Sequence, residues 1–169
     1  MMALFVGEIL RFFVGFLLLA AAAGKLRAAA GFRLNLETSF GMPAARARMV
    51  APMLIGAEVL VAAMVLGPWN QAGMLAALLM FAAFTLVVTH RFFTQPTVRC
   101  SCFGETGRPL SGYDLLRNLL VIGAIAAFLA VAPGAAASWS LMFLAAGLAS
   151  FMAVAAIEFH GIATLLVEA

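Results

Sequence analysis

Long apolar runs alternate with short polar interruptions along this chain. Residues 4–24 form the first run, broken only by Glu8 and Arg11. Further runs cover 50–66, with Glu58 inside it, and 72–90, free of acidic and basic residues up to His90. From Leu119 to Ile157 there is no charge at all. About 20 apolar residues cross a bilayer core as a helix, so the pattern predicts helices over about 4–24, 50–66, 72–90, 112–131 and 138–157. Turn-forming residues separate them: Gly41-Met42-Pro43, Gly67-Pro68-Trp69-Asn70-Gln71 and Ala132-Pro133-Gly134. Ser111 with Asp114 three residues on reads as a capping box opening the fourth helix. The predicted fold is an all-α integral membrane protein, a bundle of four core transmembrane helices plus a fifth C-terminal helix, forming a single transmembrane domain over 1–169.

Composition excludes the main alternative. The chain is 66% hydrophobic and 10% charged, too few charges to cover a soluble domain. The basic pI of about 9.5 reflects ten basic residues spread between apolar runs, which reads as flanking charge and not as a nucleic-acid surface. The first run imitates a cleavable leader, but Arg11 comes late and Lys25 and Arg27 follow it, so a retained helix is predicted. Small residues such as Gly15, 20–24 and 145–149 permit close helix approach in lipid.

The polar interruptions hold the chemistry. Cys100 and Cys102 are the only cysteines. Two thiols cannot make a disulfide framework or a four-thiolate zinc site, but a pair this close can form one small ring. A strained disulfide is easier to reduce and hence more oxidising. Positive charge from Arg99 and Arg117 favours the reactive thiolate. Alternating crossings bring Lys25, Glu58, Cys100, Cys102, Arg117 and Asn118 to one half of the bundle. Counted from Val50, Glu58 lies about 12 Å along its helix, where a carboxylate needs a partner; Lys25 and Arg117 are the candidates. Arg117 opens a helix, where the dipole does not favour a cation, so it too calls for a partner. Asn118 offers both donor and acceptor at the helix mouth. Glu8 and Arg11, three apart on one helix face, can pair. His90 and His160 read as interfacial histidines before they read as proton carriers.

These residues together resemble the methylamine utilisation protein MauE family, grouped with DoxX-like redox-associated membrane proteins. The matching features are Gly24-Lys25, Glu58, Cys100-Ser101-Cys102-Phe103-Gly104 and Arg117-Asn118. The resemblance implies a multi-pass protein of the bacterial cytoplasmic membrane. It implies Cys100 and Cys102 as a redox pair that supports disulfide formation in a methylamine dehydrogenase-like client, as a thiol–disulfide oxidoreductase working with a thioredoxin-like protein. One cysteine pair cannot relay electrons to a second, so turnover needs either that partner or a membrane acceptor such as a quinone. Lys25, Glu58, Arg117 and Asn118 match the family pattern, with proton handling or quinone orientation as their inferred roles.

Two other functions compete. A pair of thiolates binds soft Cu(I) or Hg(II), as in a metal transporter or chaperone, and a small-residue bundle suits a non-catalytic docking subunit. Orientation is divided as well. Every basic residue except Arg11 falls on the cysteine side, which the positive-inside rule assigns to the cytoplasm, whereas maturation of an exported client wants the cysteines outside.

Overall fold

A computed structural model describes residues 2–94, 112–131 and 138–158. They form six helices: α1 (Met2–Arg27), α2 (Ala29–Thr38), α3 (Ala44–Leu66), α4 (Asn70–Thr94), α5 (Gly112–Val131) and α6 (Trp139–Ile157). All but α2 are long and apolar enough to cross a membrane. The large side chains they leave exposed, such as Leu79, Leu86, Phe143 and Phe151, are what a lipid-facing surface needs.

Four spans close a ring. α1 packs on α3, α3 on α4, α4 on α5 and α5 back on α1, while α6 lies along α1. The main core joins Phe13, Val14, Leu17 and Leu18 of α1 to Val61, Ala62 and Val65 of α3. Met74 and Ala77 of α4 and Val121, Ile125 and Phe128 of α5 complete it. α6 buries only Ala145, Ala149 and Ala153, one ridge of small side chains at a spacing of four, which lets two helices meet closely. The α3–α4 turn is tight for a similar reason. A Cβ on Gly73 would lie 2.5 Å from the backbone nitrogen of Val65, so only glycine allows this approach.

The stretch from Lys25 to Arg48, expected as a polar connection, is mostly helix. α1 and α2 are separated by Ala28 alone, at φ −108° and ψ 36°. Backbone hydrogen bonds run across the break, from Ala28 N to Gly24 O and from Phe32 N to Ala28 O. The two helices therefore act as one long bent rod. Phe32 and Leu36 of α2 join Ala22 in a second core against Ala47, Ala51 and Ile55 of α3. The tertiary contact supports a segment whose alanine, glycine and arginine content reads locally as a connection. Chain reversal happens only at 39–43, where Gly41 takes a positive φ of 66°, a conformation natural to glycine, and Pro43 caps α3. α3 accordingly begins at Ala44 and not at Val50, with Pro52 inside it.

The opposed half of the bundle carries its own charge pair. Arg11 and Glu8 meet at 3.1 Å on one face of α1, both about nine-tenths buried.

The buried Lys25–Glu58 site

Lys25 comes within the last turn of α1, and Glu58 sits in the middle of α3. Counted from Ala44, Glu58 is about 21 Å along its helix, but the apolar run begins only at Met49, so its depth in the span stays close to that counted from Val50. The Lys25 ammonium donates to Glu58 Oε1 at 2.5 Å. The two residues are 33 positions apart in sequence, so this contact belongs to the fold and not to a helix face. Lys25 is 5% exposed. Its ammonium also stands 5.7 Å from the centroid of the Phe32 ring, within the range of a cation–π contact. α2 thus covers the pair with an aromatic face. The second oxygen, Glu58 Oε2, is buried with no hydrogen-bond partner among the described residues.

Other polar groups are buried in the same half of the ring. Arg117 and Asn118 open α5, 5% and 4% exposed. Arg117 finds an anion on its own helix: its Nη1 lies 3.8 Å from Asp114 Oδ1, and Asp114 is almost wholly buried. Asp114 therefore does more than begin a helix. Its spacing of three from Arg117, the same as that of Glu8 and Arg11, was the available signal. Asn35 on α2 and Thr85 on α4 are buried too, each with an unpartnered oxygen among the described residues. Both were missed in the sequence because a lone amide or hydroxyl has no spacing signature.

The end of α4 is tied to the α2–α3 corner. Arg91 Nη2 donates to the Phe40 carbonyl at 2.8 Å, and the guanidinium sits 6.0 Å from the Phe40 ring. His90, one residue earlier, is exposed, in keeping with an interfacial position. Cys100 and Cys102 lie outside the described residues, as do Arg99, Ser111 and His160. The flanking helix ends, Thr94 of α4 and Gly112 of α5, emerge on the face that carries Lys25.

Residues 3–132 match the family model described as methylamine utilisation protein MauE. The chain belongs to the MauE family. Neither a curated protein nor a solved structure matches it. In this MauE-family protein the match takes in α1 to α5, and with them Lys25, Glu58, Asp114, Arg117 and Asn118. It ends before α6. Family and helices together make this a multi-pass membrane protein of MauE type.

Proposed function

We propose that this protein is a membrane thiol–disulfide redox protein in which Cys100 and Cys102 are the reacting pair. The observation that supports it most is the Lys25–Glu58 ion pair. Burying two charges in a bundle is costly, and well-packed apolar residues would stabilise the same contact equally well or better. Ionisable groups kept inside a membrane bundle mark functional sites. This pair belongs to the half of the bundle from which the cysteine segment departs.

The cycle balances as follows. A client thiolate attacks one sulfur of the Cys100–Cys102 disulfide; that S–S bond breaks and a mixed disulfide forms. The second client thiolate resolves it, and the client leaves with a new disulfide. Two electrons and two protons now reside on the Cys100–Cys102 dithiol. A thioredoxin-like partner's disulfide, or a quinone reduced to quinol, takes them and restores the pair. Glu58, hydrogen-bonded through one oxygen among the described residues, keeps an acceptor there for a proton or a donor group. Lys25 holds that carboxylate in place. Arg117, held by Asp114, and Asn118 supply hydrogen-bond donors at the mouth of α5, Asn118 an acceptor as well.

The test is thiol trapping in intact cells, with membrane-permeant and impermeant reagents. A reversible Cys100–Cys102 disulfide is expected, and Cys100→Ser abolishes client disulfide formation. Client oxidation that continues unchanged in Cys100→Ser overturns the reading. The impermeant reagent also reports the side on which the pair works.

A further inference from the structure

The basic residues among those described, all but Arg99 and Arg108, divide into two classes. Arg11, Lys25, Arg91 and Arg117 each have an acceptor within the chain: Glu8, Glu58, the Phe40 carbonyl and Asp114. Arg27, Arg33, Arg46 and Arg48 have none among the described residues, and all four are exposed. They come from the end of α1, the middle of α2 and the first turns of α3. Within residues 27–48 the only acid is Glu37.

We propose that this corner is a binding surface for anionic phospholipid headgroups. Three features argue for it. First, the unengaged cations are all arginines. A guanidinium presents a planar fork of donors that matches phosphate oxygens two at a time, where lysine offers a point charge. Second, their level fits the headgroup region. The apolar run of α3 begins at Met49, directly after Arg48, so Arg46 and Arg48 stand at its rim. α2 holds Arg33 near the same rim because Phe32 and Leu36 are docked on α3. Third, large apolar side chains are exposed beside the arginines: Leu26, Leu34, Met49 and Met53, between 58% and 70% accessible. A free phosphate has no use for them, but the acyl chains of a phospholipid do. The buried face of α2 fixes the corner, and its exposed face meets the lipid. This inference does not depend on the redox reading.

Each basic residue close to an anionic bilayer surface contributes roughly a fivefold preference. The experiment titrates the full-length, detergent-solubilised protein with phosphatidylglycerol or phosphatidylcholine and counts bound lipid by native mass spectrometry. The wild type is expected to bind phosphatidylglycerol more tightly. Arg33→Gln lowers that preference about fivefold, and Arg46→Gln with Arg48→Gln about 25-fold. Binding of phosphatidylcholine stays unchanged. The matching arginine-to-lysine triple variant keeps the charge and retains part of the preference, and helical circular dichroism checks that each variant is folded. Equal affinity of the wild type for the two lipids overturns the proposal, as does a glutamine triple variant that keeps its preference. Displacement of phosphatidylglycerol by an equal concentration of glycerol 3-phosphate overturns it too, by showing a site for a free anion.

Discussion

α1 carries two buried ion pairs, and they are built differently. Glu8 and Arg11 are three residues apart and meet on a single helix. Lys25 meets Glu58 across 33 residues and joins α1 to α3. The first pair forms as soon as its helix forms. The second forms only when two helices pack in the right register, so it reports on tertiary structure. Arg11 also leans on its own neighbour, 4.9 Å from the centroid of the Phe12 ring, while Lys25 is covered by Phe32 from another helix. One pair makes a charged residue tolerable within a span. The other concentrates charge between helices on the face where the cysteine segment leaves.

The largest expected effect comes from breaking the interhelical pair. Lys25→Met leaves the Glu58 carboxylate buried without its cation and costs about 3–5 kcal/mol of stability, read by reversible unfolding in mixed micelles. The combined Lys25→Met and Glu58→Leu variant removes both charges. It regains most of that stability yet stays inactive in client disulfide formation. A fully active double variant would reduce Lys25–Glu58 to a structural fastener like Glu8–Arg11.

Next in size is Arg11→Met. It also orphans a buried carboxylate and is expected to cost about 3 kcal/mol, but with client oxidation preserved. Loss of oxidation in a folded Arg11→Met protein would erase the distinction between the pairs. Gly73→Leu follows. Its Cβ would strike the backbone of Val65, part of the rigid α3 helix that also carries Glu58. Overpacking costs about 1–3 kcal/mol, and cross-linking between α3 and α4 should show the two helices displaced. The smallest change is Arg91→Gln. It removes a charge-assisted hydrogen bond to Phe40 worth about 1.5 kcal/mol, reduced further because the guanidinium is only half-buried. Faster amide exchange at the end of α4 is its readout.

The spans and the intrahelical pair were legible because they rest on local rules: run length for the one, a spacing of three for the other. The partner of Glu58 was legible as a choice between two cations, and only packing selects Lys25. α2 was hidden by its composition. Ala29, Ala30, Gly31 and Arg33 suggest a connection, and the sparse apolar positions Phe32 and Leu36 become a helix face only because Ala47 and Ala51 lie opposite. The same error moved the start of α3. Arg46 and Arg48 read as loop residues, though they occupy exposed positions of a helix whose other side is buried. Asp114 was read as a capping residue because its position near a helix start explained it well enough locally.

The contact between Lys25 and Glu58 also bears on how the chain enters the bilayer during synthesis. A single charged residue at the centre of an inserting helix costs about 2.5–3.5 kcal/mol. α1 and α2 leave the ribosome before α3, and the 39–43 turn is all that separates α2 from α3. Glu58 therefore reaches the lipid with its cation already in place on the preceding rod, and within the two spans Lys25 offsets Glu58 as Arg11 offsets Glu8.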